Sequence, residues 1–108
     1  MDDLVKRNNL YYKKFTDVPF TGEISGIEKG KFKNGKRVGL WEYYWKNGQL
    51  RIKLSYKDGE FDGLWEEYYI SGMLERKGNY KEGELDGLWE FFNEDGSLEK
   101  TKTFKKWN

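Results

Sequence analysis

The chain has 108 residues, with 20 Lys/Arg against 19 Asp/Glu, a formal net charge of +1, and neither cysteine nor histidine. That length fits one domain. The missing residues exclude disulfides, thiolate metal sites and any Ser/His/Asp or Cys/His triad, and remove the commonest general base. About half of the hydrophobic residues are the 5 Trp, 8 Tyr and 7 Phe, and alanine is absent, so the core must be built from rings and helix is minor at most.

No apolar run approaches the roughly 20 residues of a transmembrane helix. Met1-Asp2-Asp3-Leu4-Val5-Lys6-Arg7 lacks the apolar centre of a signal peptide. The expectation is a cytoplasmic protein; an exported form whose signal has been removed stays open. The charge is unevenly spread: residues 1–57 hold 13 Lys/Arg against 6 Asp/Glu, and residues 58–108 hold 7 against 13. Such a gradient can steer a charged partner or favour head-to-tail stacking of copies.

Residues 1–19 form a leader. Asn8-Asn9 before Leu10-Tyr11-Tyr12 suggests a turn into a short strand, with Lys13, Lys14 and Asp17 exposed and Pro19 in the connection to the sheet. A repeat domain over 20–104 follows, then a tail at 105–108. Its first unit, 20–35, is shortened: Phe20–Ile24 pairs with Gly30–Lys33, as a capping repeat would. Three full units, 36–59, 60–83 and 84–104, repeat every 24 residues, aligning Gly39/63/87, Leu40/64/88, Trp41/65/89, Glu42/66/90 and Tyr44/Tyr68/Phe92. A fixed period of this size marks a repeat architecture.

Each unit reads as strand, turn, strand. Aromatic residues suit the first strand, Leu64–Ile70 in the central unit, and the second is Met73–Tyr80. Asn47-Gly48, Ser71-Gly72 and Asp95-Gly96 suggest two-residue type I′ turns. That turn pairs 70 with 73, 69 with 74, Glu67 with Arg76, and Trp65 with Gly78, where the ring covers the glycine. In the preceding unit it pairs Trp45 with Leu50, Tyr43 with Ile52 and Trp41 with Leu54. A three-residue loop with a bulge would shift this register by one and swap the faces. The glycines at 35/39, 59/63 and 83/87 suggest chain reversals between units. One hairpin cannot bury its own face, so the expected architecture is all-β, about four stacked antiparallel hairpins in a single twisted sheet. In the last unit Asn93, Lys100 and Lys102 replace Trp45, Ile52 and Leu54, which suits a polar cap and a guarded edge.

The pattern Asp58-Gly59-x-x-Asp62-Gly63-Leu64-Trp65-Glu66-x-Tyr68-Tyr69-x-x-Gly72-x-Leu74-x-x-x-Gly78-x-Tyr80 resembles the bacterial variant of the MORN repeat (membrane occupation and recognition nexus). The leader from Leu10 to Gly22 is similar to the segment that precedes such repeats. The resemblance covers about residues 4–104. It implies stacked hairpins in one sheet, and members often labelled antitoxins of toxin–antitoxin systems; other MORN proteins are implicated in protein scaffolding and phospholipid binding. Leu54 stands where the pattern usually has glycine.

Several groups are candidates for chemistry. Glu42, Glu66 and Glu90 make either a carboxylate row for a cation or basic partner, or simply the polar positions of alternating strands. Lys29, Lys31, Lys33, Lys36 and Arg37 form a basic run among aromatics that could take an anionic ligand, a phospholipid surface or single-stranded nucleic acid, or be a solvated face. Tyr44, Trp45, Tyr68, Tyr69 and Phe92 are candidate partner-binding rings. The glycines open no helix and make no phosphate loop. No cofactor, metal or catalytic residue is expected; the rival is a hydrolase with paired carboxylates. The expected function is a non-catalytic protein–protein interaction module, antitoxin-like or scaffolding, with self-association through the sheet edges as a further route.

Overall fold

The structure, a computed structural model, describes residues 4–14, 16 and 18–105. Among them the chain forms strands and no helix: β1 (Leu4–Arg7), β2 (Leu10–Lys13), β3 (Gly22–Ile24), β4 (Glu28–Lys33), β5 (Lys36–Tyr44), β6 (Leu50–Lys57), β7 (Glu60–Tyr68), β8 (Leu74–Lys81), β9 (Glu84–Phe92) and β10 (Leu98–Phe104). β3 to β10 make one eight-stranded antiparallel sheet in chain order, and β1 pairs with β2 apart from it. The expected all-β stack of consecutive hairpins is what forms. The expectations for Asp17 and for residues 106–108 lie outside the described residues.

The type I′ turns lie between units, not inside them as the sequence suggested. Asn34-Gly35, Asp58-Gly59 and Glu82-Gly83, which join units, have positive φ at both residues, 49° and 83° in the Asp58-Gly59 case. They directly connect Lys33 to Lys36, Lys57 to Glu60 and Lys81 to Glu84, and they are the two-residue type I′ turns. Inside a unit only the glycine is left-handed, with φ of 88° at Gly48, 95° at Gly72 and 91° at Gly96. There Tyr69 N donates to Met73 O at 2.8 Å and Gly72 N to Tyr69 O at 2.8 Å. This is a three-residue loop, a type I turn closed by a left-handed glycine. The residue before the glycine acts as an acceptor instead of taking positive φ. Asn47 Oδ1 accepts from Gln49 N at 2.9 Å, and Asp95 Oδ1 from Ser97 N at 2.8 Å.

The longer loop shifts the register by one beside the turn, so Leu50 pairs with Tyr44 rather than Trp45, and Leu74 with Tyr68 rather than Tyr69. A bulge at Arg51, Glu75 or Glu99 then cancels the shift. Tyr43–Ile52, Trp41–Leu54, Glu67–Arg76 and Trp65–Gly78 are therefore paired as expected, and the faces are not swapped. Arg76 Nε lies 3.6 Å from Glu67 Oε1.

The core lies on one face. Phe32, Trp41, Leu54 and Trp89 are the buried hydrophobics among the described residues, at 2%, 0%, 2% and 2% exposure. A ladder of edge-on and tilted rings runs along this face through Phe20, Phe32, Trp41, Tyr56, Phe61, Trp65, Tyr80 and Trp89, with centroids 4.8–5.8 Å apart between successive members. The leader hairpin closes one end. Tyr11 N bonds Gly35 O and Gly35 N bonds Phe20 O, which sets Tyr11 and Phe20 against Phe32.

The glycine under each ring belongs to a different strand pair from the one expected. Trp65 is paired with Gly78, but the ring lying over Gly78 is Trp89, on the following strand, and Trp41 lies over Gly30 in the same way. A Cβ at either glycine would stand 2.2 Å from the indole Cδ2. Seated flat, Trp41 and Trp89 donate their indole N–H to Lys31 O and Asn79 O at 3.1 Å. Leu54 occupies the matching seat in the middle unit. Trp65 there is only partly buried, and its N–H bonds Glu67 Oε1 at 2.7 Å instead.

Candidate binding face

Alternation along each strand sends every second side chain away from the ring ladder. On that second face the register brings Lys29 beside Glu42, Glu42 beside Lys53, Lys53 beside Glu66, Glu66 beside Lys77, and Lys77 beside Glu90. The result is a single row across β4 to β9 in which charge alternates at every strand. Lys77 Nζ lies 3.7 Å from Glu90 Oε1. The carboxylates expected as a row are thus separated by lysines. They form neither a like-charge pair nor a cation site, and no cluster of three or more metal-ligating side chains occurs among the described residues.

Two apolar rows flank the charges. On the N-terminal side of each Glu stand Leu40, Leu64 and Leu88, exposed at 50%, 38% and 55%. On the C-terminal side stand Tyr44, Tyr68 and Phe92, all partly buried. The Tyr68 hydroxyl donates to Glu66 Oε1 at 3.3 Å. Partial burial, followed by the neighbouring carboxylates Glu42 and Glu66, holds the Tyr44 and Tyr68 hydroxyls above the usual tyrosine range. Nothing in the described chain packs over these rows; the described structure is a slab with principal extents of 48 × 42 × 16 Å, and the leader hairpin sits on the other face.

The remaining candidate rings lie elsewhere. Trp45 and Tyr69 share the ring-ladder face at the loop edge of the sheet. Arg51 stacks over Trp45 at 5.0 Å, and the Tyr69 hydroxyl donates to Phe92 O at 2.7 Å. The five ring candidates therefore divide into three on the open face and two on the ring-ladder face.

The basic run is divided as well. Lys29, Lys31, Lys33 and Lys36 are exposed on the open face, whereas Arg37 points into the ring ladder. Lys29 is paired with Glu42, Lys31 Nζ lies 3.6 Å from Glu23 Oε1, and Lys36 stands among Lys57, Asp58, Glu60 and Asp62. Arg37 lies within 5.8 Å of the Tyr11, Phe32, Trp41 and Tyr56 rings, donates to the Tyr11 hydroxyl at 3.1 Å, and lies 3.9 Å from Glu28. Burial is the largest single influence and opposes its charge; the Tyr11 hydrogen bond and the electrostatic attraction of Tyr43, Tyr11 and Tyr56 together overcome it and raise its pKa. Phe61 and Leu85 hold the same place in later units, so Arg37 is an internal strut of the first full unit.

Sequence reasoning missed the alternating charge row. Its signal was present, since Lys29, Lys53 and Lys77 share the 24-residue spacing of the three Glu. Interleaving two such series requires the pairing register, which the loop and bulge together set.

The family model described as MORN repeat variant matches residues 37–58, 61–82 and 85–106. Each match begins in the strand after a type I′ turn, and the first two end at the next such turn. No curated protein and no solved structure matches the chain.

Proposed function

The chain belongs to the MORN repeat variant family, and on that premise we propose that it is a non-catalytic protein–protein interaction module whose contact surface is the face opposite the ring ladder. MORN repeats are generally associated with protein or membrane interaction, and the family is typically non-catalytic. The observation that carries the proposal is the Leu40/Leu64/Leu88 row, exposed and flanked by charge on a face that no described part of the chain covers. Apolar rows rimmed by polar groups mark interaction sites. An antitoxin-like or scaffolding role in a bacterial cytoplasm uses the same surface, the acidic second half suiting a basic partner.

The test is capture from the native cell with wild-type bait and with a Leu40→Lys/Leu64→Lys/Leu88→Lys bait. The proposal expects a protein held by the first and released by the second. Binding to anionic vesicles or single-stranded DNA that falls steeply with salt, with no protein captured, would replace it with the anionic-ligand reading of Lys29, Lys31, Lys33 and Lys36. A small toxic protein encoded next to this chain, inhibited by it, would support the antitoxin-like form.

A further inference from the structure

We propose that the open face pairs with the same face of a second copy, the two sheets packing face to face about a two-fold axis parallel to the strands. This rests on the reading of that face as a binding surface and names the partner. Across β4 to β9 the charge row reads Lys29, Glu42, Lys53, Glu66, Lys77, Glu90. An alternating row with an even number of members is complementary to itself when reversed. An axis along the strands, passing between β6 and β7, reverses it. Lys29 then faces Glu90 of the other copy, Glu42 faces Lys77, and Lys53 faces Glu66. An axis across the strands would instead set every charge on its like.

The apolar rows obey the same operation. Leu40, Leu64 and Leu88 lie on β5, β7 and β9, and their cross-strand partners on the even strands are Ser55, Asn79 and Thr103. Reversal moves the second copy's leucines onto the even-numbered positions. Leu64 then sits over Ser55 of the other copy and Leu40 over Asn79, so the two leucine rows interleave rather than collide. Sheets pack face to face at about 10 Å. Six strands at roughly 4.8 Å spacing, and the roughly 13 Å from the Leu row to the Tyr row, plus side-chain width, give about 500–600 Å² per copy. That is the low end for a specific homodimer, so the association is concentration-dependent rather than obligate.

The experiment is sedimentation of the wild type, Glu42→Lys, Lys77→Glu, and an equimolar mixture of the two variants, each checked for retained strand signal by circular dichroism. The wild type is expected to move from the 13.0 kDa monomer toward twice that mass as concentration rises. Each single variant, placing Lys against Lys or Glu against Glu at both symmetric contacts, is expected to lose at least tenfold in self-affinity. The mixture is expected to recover the dimer, because Lys at 42 in one chain then faces Glu at 77 in the other. Recovery on mixing cannot come from charges within one sheet. A wild type that stays monomeric at several hundred micromolar overturns the pairing, and the cell-capture comparison still judges the binding face by itself. A dimer that survives both single variants also overturns it, and points to pairing along β10. So does a mixture that stays monomeric.

Discussion

Replacing Gly78 by alanine should destabilise the protein, although propensity alone says the opposite. Gly78 is not in the left-handed region, so alanine fits the backbone, and such an exchange ordinarily stabilises by about 0.4–1 kcal/mol by narrowing the unfolded ensemble. Here the new Cβ would stand 2.2 Å from Cδ2, 2.3 Å from Cε2 and 2.5 Å from Cγ of Trp89. The ring must lift. Trp65, held off its seat by Leu54, has the geometry expected of a lifted ring: lower burial and an indole N–H turned away from the neighbouring carbonyl. Trp65 finds Glu67, but the residue at that place in the last unit is Phe91, so Trp89 has only water. A tryptophan buries roughly 150–250 Å², and exposing about a third of that loses about 1.5–2 kcal/mol. The hydrogen bond to Asn79 O contributes about 1 kcal/mol more. After the entropic gain, the net loss is about 2 kcal/mol. Urea unfolding followed by circular dichroism measures it. A Gly78→Ala protein as stable as the wild type would refute the idea that glycine is there to seat the ring. Gly30→Ala beneath Trp41 should behave alike.

Other consequences are as direct. Arg37→Lys should cost about 1–3 kcal/mol in urea unfolding, because an ammonium cannot stack among four rings while reaching both Tyr11 and Glu28; an unchanged midpoint would count against the strut. Tyr43 shares a 2.8 Å hydrogen bond with Tyr56, and burial together with that contact holds its hydroxyl far above the usual tyrosine value. Its contribution to stability is therefore complete below about pH 10 and lost as pH rises, and its tyrosinate absorbance should appear only with unfolding. In Tyr43→Phe that late component should shrink, leaving the share of Tyr56, which its own burial holds above the usual range. Hydrogen bonds from Ser97 hold Asp95 below the usual aspartate range, so the stability it adds is present above about pH 4 and lost as pH falls through the lowered value. Thermal midpoints measured from pH 5 down to pH 2 should fall less steeply in Asp95→Asn, and identical slopes would argue against this turn as the cause.

Much of this was legible in the sequence because a repeat shows each position three times. The 24-residue spacing of Gly-Leu-Trp-Glu fixes the hairpins and the alternation fixes the two faces. The turns were misassigned because Asn-Gly and Asp-Gly serve two geometries. Asn47 and Asp95 bond the backbone two residues on, whereas Asn34 and Asp58 take positive φ, and dipeptide identity does not separate these uses. The pairs beside the turns were off by one, and those beyond the bulge were right because the loop and the bulge introduce opposite shifts. The ring seats required knowing that Trp89 leans over the preceding strand, a side-chain direction that pairing alone does not contain. Leu54 was visible as a departure, but its effect on Trp65 appears only once the seat is known. The basic run read as one patch because five nearby residues were taken together, while strand alternation sends Arg37 inward.

One face carries the ring ladder, and the other carries the exposed leucine row on which the proposed binding rests. Methyl and indole resonances of dilute protein, recorded with a soluble paramagnetic probe, test this division most directly. Strong attenuation is predicted for the Leu40, Leu64 and Leu88 methyls, with little change for the Leu54 methyls and the Trp41 and Trp89 indole N–H groups. Equal protection of both sets in the dilute protein would contradict it.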